Sequence, residues 1–525
     1  MFKRRSFILL SMLLALSLIL VACSGEKSSE GSSSKGNSDA KKDLVVAVSA
    51  NFVTLDPHDS NNTLDNSVQK TMMEGLLGFD KDMKVIPKLA ESYEANEDAT
   101  EFTFKLRQGV KFQDGTDFNA DAVKVNFDRI SNPDNALKRY SLFSNIKETT
   151  VIDDYTVKFT LKESFAAMIN NFAHPSAMIH SPKSLEEKKK EVSKGPVGTG
   201  PYEFVSWDSS DIIKVKKFDG YWNADGPNAD SITFKPVPEN GARTAMIQTG
   251  EADFVYPVPT EQIDSLKNSD VTVENNPSIV VNYLSMNVKK KPFDDIRVRQ
   301  ALNYAIDKEA LIQVVYNGYA SQATSVIGKQ VKFYSEQEPF AYDVEKAKAL
   351  LKEAGLEKGF KTKVWATNSS NYIKAMEFIQ QSLAELKIDL EVVPMESGTL
   401  DSSLWSVDKP EDSKVELYFG GWSPSTGEAD WGIRPLLGGD SFPPNSYNIS
   451  YYSNDKVNKL LKDALATSDE GARTKAYNEI QSTIWNEVPW VAVSNPDTIF
   501  AKKKNINGMV LLPDGSLSID QLTIE

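Results

Sequence analysis

Gly421-Trp422-Ser423-Pro424-Ser425-Thr426-Gly427-Glu428-Ala429-Asp430-Trp431 is the stretch on which the reading of this chain turns. It follows a short apolar run, Val415-Glu416-Leu417-Tyr418-Phe419, that fits a buried strand. Paired glycines break regular structure, so Gly420-Gly421 is expected to end that strand. The loop expected beyond it carries two tryptophans, three hydroxyl side chains and two carboxylates. Apolar ring faces beside a few convergent polar groups suit a pocket for a small polar molecule. The same residues also suit a surface loop whose tryptophans plug the core.

Four further segments frame this loop: Thr54-Leu55-Asp56-Pro57, Lys111-Phe112-Gln113-Asp114-Gly115-Thr116-Asp117-Phe118-Asn119-Ala120, Gly198-Thr199-Gly200-Pro201-Tyr202 and Lys291-Pro292-Phe293-Asp294. In their order and spacing, from about Leu44 to the C-terminus, they resemble the peptide/nickel family of solute-binding proteins of ABC importers. The tryptophan-flanked loop is similar to that of glutathione-binding members of the family. The resemblance implies an α/β, two-lobed periplasmic-binding-protein-like fold (type II, cluster C) with an additional inserted domain. By that analogy residues 43–87, 200–282 and 496–525 form lobe I, 88–199 the inserted domain, and 283–495 lobe II. It also implies a monomer that makes and breaks no covalent bonds, needs no cofactor, and works with ABC permease and ATPase subunits.

The N-terminus supplies an address. Lys3, Arg4 and Arg5 precede an apolar segment, Ser6 to Val21, too short for a comfortable membrane span. Leu20-Val21-Ala22-Cys23 resembles a bacterial lipobox, which implies a signal peptide over 1–22 and a lipid on Cys23. An ordinary signal peptide with an incidental cysteine is the alternative. Cys23 is the one cysteine of the chain, so no internal disulfide can form. Residues 24–42 are rich in Ser, Gly, Lys and Asp and read as a flexible tether from the outer face of a plasma membrane. Residues 1–22 carry three positive charges and no negative ones, so their removal takes the net charge from −14 to −17. Such acidity argues against nucleic acid or an anionic lipid surface as partner.

The rest reads as a mixed α/β chain. Leu44–Val48 fits a buried strand; Thr100–Leu106 and Tyr155–Leu161 alternate as half-buried strands; Tyr202–Trp207 and Ile212–Phe218 fit a hairpin. Asn119, Asp307 and Asp343 are expected helix caps, and Gly355 a helix stop.

Catalytic motifs are missing from the sequence. His174 and His180 are six apart, unlike a zinc-protease pair, and His174 in Phe172-Ala173-His174-Pro175 fits a packed turn better than a ligand. There is no G-x-S-x-G elbow and no phosphate loop. Asp80 and Asp82 open a calcium-like run that fails at Val85, where glycine is required. A carboxylate pair meeting across a cleft, as in an anchored extracellular hydrolase, is the reading from another class.

Arginine is scarce, with eight after residue 22, and it is the side chain best shaped to hold a carboxylate at two points. Arg139, in Leu137-Lys138-Arg139-Tyr140-Ser141-Leu142, resembles a segment of the glutathione-binding relatives and is assigned to a ligand carboxylate, with Arg434 as a second candidate. A surface ion pair is the plain alternative for Arg139. Dipeptide and oligopeptide carriers have an Asp shortly after the Gly-Trp for the peptide ammonium. Ser425 stands there instead, which favours a glutathione-like ligand over a general dipeptide, oligopeptide or nickel chelate. The resemblance then gives Asp430 the ligand ammonium, Ser423, Ser425 and Thr426 hydrogen bonds to ligand, and Trp422 and Trp431 the walls. Thr63 is either a cleft edge or a helix cap, and Tyr283 and Asn287 either touch ligand or serve the core or hinge.

Overall fold

Fourteen residues rich in β-branched and apolar side chains, Trp490–Lys503, form the strand around which the sheet is built. At about 3.3 Å per residue such a strand reaches roughly 45 Å, enough to pass from one lobe into the next. In the computed structural model, which describes residues 42–267, 270–407 and 409–525, its first part pairs antiparallel with Val281–Met286. Its last part pairs with Val271–Pro277 and Phe254–Tyr256. On one side the sheet continues through Leu417–Trp422, Lys361–Thr367 and Asp389–Met395. On the other it continues through Asp43–Val48, Ser231–Pro236, Ile213–Lys217 and Tyr202–Trp207. The two halves are the two lobes, and Val271–Met286 crosses between them beside the long strand. The leader, the lipobox with Cys23 and almost all of the tether lie outside the described residues.

A separate four-stranded antiparallel sheet is made by Ala90–Ala95, Glu101–Leu106, Thr156–Leu161 and Ile146–Asp153. The expected alternation is what builds it. Phe102, Phe104 and Leu106 face Val157, Phe159 and Leu161 on one buried side. Phe102, Phe104, Phe127, Phe159 and Phe172 then cluster with ring centroids 4.6–6.0 Å apart. Aromatic contacts at such distances add to the burial itself.

Two of the framing segments are structural. The Gln113 side chain donates to the carbonyls of Met72, Gly200 and Tyr202 and accepts from Gly198 N–H, stitching the separate sheet to the first lobe. Thr199 donates to the buried Glu74 carboxylate, and a Cβ on Gly200 would strike the Met72–Met73 backbone. Asn119, Asp307 and Asp343 cap helices as expected, and Gly355 takes a positive φ after the helix Val344–Glu353.

Two expectations need correcting. The strand does not end at Gly420-Gly421 but runs to Trp422, paired with Val281. The glycines serve close approach instead, since a Cβ on Gly421 would meet Asn282 Oδ1 and Tyr372 Oη. The loop is also shorter than expected: Glu428 caps a helix, Ala429–Leu437, by accepting from Asp430 N–H, so Asp430 and Trp431 lie in its first turn.

Candidate functional site

Between the end of the strand at Trp422 and the cap at Glu428 the chain turns tightly. Ser425 N–H donates to Ser423 O, Gly427 N–H donates to Pro424 O, and Gly427 takes φ 66°. Across from this turn lies the helix Met168–Ala173 and the residues after it. Asn170 Nδ2 donates to Thr426 O at 2.8 Å, and His174 Nε2 lies 3.2 Å from Ser425 Oγ. Ala166 N–H also donates to Leu465 O. The two walls therefore touch in this arrangement.

The aromatic wall is wider than the sequence shows. Trp422 Nε1 donates to Trp431 O at 2.9 Å, with the two rings 6.0 Å apart. Tyr447 sits 5.4 Å from Trp422 and Trp405 packs edge-on against Tyr447. Tyr447 and Trp405 were not singled out from the sequence. The run Pro443-Pro444-Asn445-Ser446 before Tyr447 is a strong loop signal that marks an aromatic at a loop end.

Arg139 leans on the loop that follows Thr54-Leu55-Asp56-Pro57. Its Nε donates to Ser60 O at 2.6 Å and its backbone N–H to His58 O. That loop is braced in turn. Asp56 accepts from both terminal nitrogens of Arg129 and faces His180 Nε2 at 3.1 Å. Arg129 donates to His58 Nδ1, and His58 Nε2–H donates to Met178 O, so His58 is a neutral ring. Burial holds its pKa down at about 3, against the pull of Asp56. Burial also lowers the Arg139 pKa, with Tyr447 opposing, and burial, with Arg139 adding to it, lowers that of His174. Among the described residues Arg139 has no carboxylate partner. Desolvating a cation without a counter-charge costs free energy, so a guanidinium left this way is suited to an incoming anion.

The other arginines near the loop are committed. Arg434 grips Asp430 at two points, Nε to Oδ1 at 2.8 Å and Nη2 to Oδ2 at 2.6 Å, and the Asp430 side chain is 2% exposed. The sequence reading gives Asp430 to a ligand ammonium and Arg434 to a ligand carboxylate. The structure spends the two charges on each other, because four residues apart on one helix turn they meet directly. Asp430 raises the Arg434 pKa further. Arg473 Nη2 donates to the fully buried Glu428 at 2.7 Å. Burial pushes the Glu428 carboxyl up to about 7, against Arg473.

Three further candidates sit elsewhere. Asn62, not Thr63, caps the helix Thr63–Met72, and Thr63 lines a cavity of about 510 Å³ with Tyr316, Ser370 and Pro496. Tyr283 is buried and stacked on Trp490 at 3.8 Å, in the core at the crossing. Asn287 Nδ2 donates to Val415 O and its Oδ1 accepts from Lys289 N–H, which makes it a turn residue. No group of three or more His, Cys, Asp or Glu among the described residues could hold a metal ion. No helix among them is long and apolar enough to cross a membrane.

Two lobes joined by crossing strands, with a separate sheet beside them, define a fold of the kind that encloses a small solute. Residues 84–444 match the family model of bacterial extracellular solute-binding proteins, family 5 (middle). The chain belongs to that family. It is 46% identical over 488 residues to the glutathione-binding protein GsiB of Escherichia coli K12, covering 93% of this chain and 95% of that protein. The GsiB of Salmonella typhi matches to the same extent. Among solved structures, DppA of Helicobacter pylori in complex with the peptide STSA superposes with a TM-score of 0.77 at 26% identity, covering 92% of this chain and 98% of that one. CtaP of Listeria monocytogenes shares the fold, with a TM-score of 0.83 at 23% identity over 92% and 99% of the two chains.

Proposed function

We propose that this protein captures glutathione, or a closely similar small γ-linked peptide, outside the cytoplasm and delivers it to the permease and ATPase of an ABC importer. The observation that carries this reading is Arg139. It is a partly buried guanidinium with no acidic partner among the described residues, its Nε on the carbonyl of Ser60. Glutathione has two carboxylates, and a chain of net charge −14 needs local positive charge to hold either of them. The 46% identity to glutathione-binding proteins supports the same ligand. Ser423, Ser425 and Thr426 would hydrogen-bond it, and Trp422, Trp431 and Tyr447 would wall it.

The lipid on Cys23 and the tether would keep the carrier on the outer face of the plasma membrane as a monomer. The working division is lobe I over 43–87, 200–282 and 496–525, the inserted domain over 88–199, and lobe II over 283–495. Mass spectrometry of the small molecule that co-purifies tests the ligand. Glutathione supports the reading, whereas a mixture of ordinary di- or oligopeptides, or a nickel chelate, overturns it. Product formation from peptides or glycans would end the carrier reading altogether.

A further inference from the structure

His174 sets a hydrogen-bond direction at the Ser423–Thr426 turn. The backbone N–H of Ser176 points at His174 Nδ1 at 3.1 Å. A backbone N–H can only donate, so Nδ1 accepts, and the proton of a neutral ring sits on Nε2. Nε2–H then donates to Ser425 Oγ at 3.2 Å. With that oxygen accepting from the imidazole, the Ser425 hydroxyl proton is turned away from His174. No group among the described residues accepts it. The carboxylates nearest in sequence are engaged elsewhere, Glu428 by Arg473 and Asp430 by Arg434.

We infer that His174 is a positioning residue that sets the Ser425 hydroxyl as a hydrogen-bond donor for a ligand carboxylate. The inference rests on the small-peptide reading above. A proton fixed in this way serves an acceptor, so the ligand group expected at Ser425 is a carboxylate. His174 does not touch the ligand. It sets which way the serine hydroxyl can serve.

His174→Asn separates this role from a structural one. An Asn oxygen can accept from Ser176 N–H, as Asn does at helix caps, but no donor reaches Ser425. Calorimetry would compare glutathione with its two mono-amides, in which one carboxylate at a time becomes a carboxamide. For the wild type, one of the two amides is expected to bind about tenfold or more weakly, the loss of a charge-assisted hydrogen bond. In both His174→Asn and Ser425→Ala that acid-to-amide ratio should fall at least threefold, with Tm of His174→Asn close to that of the wild type. Equal binding of both amides by the wild type, or a ratio unchanged in both variants, overturns the inference while leaving glutathione as the ligand. Trialanine and its C-terminal amide form the second arm. If glutathione gives no heat but trialanine binds with a ratio that falls in His174→Asn, the subsite stands and the glutathione reading fails.

Discussion

Arg139 and Arg434 have opposite circumstances. Arg434 has a carboxylate of its own four residues back, held at two points, and its charge is satisfied within the fold. Arg139 has a carbonyl under its Nε and no counter-charge among the described residues. The first arrangement stabilises a helix start. The second leaves an electrostatic deficit that a ligand can fill. An arginine near a binding loop is therefore informative only once its partner is known, and the third one, Arg473, shows the limiting case of a pair buried on both sides.

Removing Arg473 should have the largest effect, on stability. Arg473→Ala leaves Glu428 buried without its partner, a change expected to cost about 3–5 kcal/mol. Chemical denaturation would measure it. The loss should be smaller at pH 5 than at pH 8, because Glu428 already titrates near 7 and a neutral carboxyl is cheaper to bury. A loss independent of pH would place the cost in packing against Phe333 and Tyr477 instead.

Removing Arg139 should act on binding rather than on folding. Arg139→Ala is expected to weaken glutathione by about 2–5 kcal/mol while shifting Tm little. Arg434→Ala should show the reverse pattern, a stability loss of about 1–3 kcal/mol from the orphaned Asp430. It falls below the Arg473 value because the Arg434 side chain is 37% exposed and water screens the pair. Similar binding losses in both variants would erase the distinction between the two arginines.

A slope with pH is expected from two buried rings. His58 and His174 are buried neutral rings with pKa values held below the ordinary 6.5, His58 at about 3. For such a base the unfolded chain takes up a proton that the folded chain refuses. The stability is complete above pH 6.5 and is lost as pH falls toward the folded value. Each ring should contribute up to about 1.4 kcal/mol per pH unit in that window. Denaturation midpoints between pH 7 and pH 4 would show the decline, and His58→Gln or His174→Asn should flatten it.

The fold was open to sequence reading where period and chemistry agree. The alternating phenylalanines gave the separate sheet its buried face, and Asn119, Asp307 and Asp343 gave helix starts. It was closed where one residue type has two uses. Gly420-Gly421 reads as a strand break by propensity, but tertiary contact with Asn282 and Tyr372 requires the missing Cβ. The site divides the same way. Scarcity and context made Arg139 a candidate, whereas the mutual neutralisation of Asp430 and Arg434 needed the helix geometry. His174 looked like a packed turn residue and is one, since it caps Ser176. Its second nitrogen meets Ser425 from 251 positions away, a distance no local pattern spans.

A single titration bears most directly on Arg139 as the cation that holds a glutathione carboxylate. Isothermal calorimetry with reduced glutathione and with ordinary dipeptides would be run on the wild type and on Arg139→Ala. Tighter binding of glutathione than of dipeptides by the wild type, with a loss well above tenfold in the variant, is the expected result. Tighter binding of dipeptides, or glutathione affinity unchanged by the substitution, would contradict it.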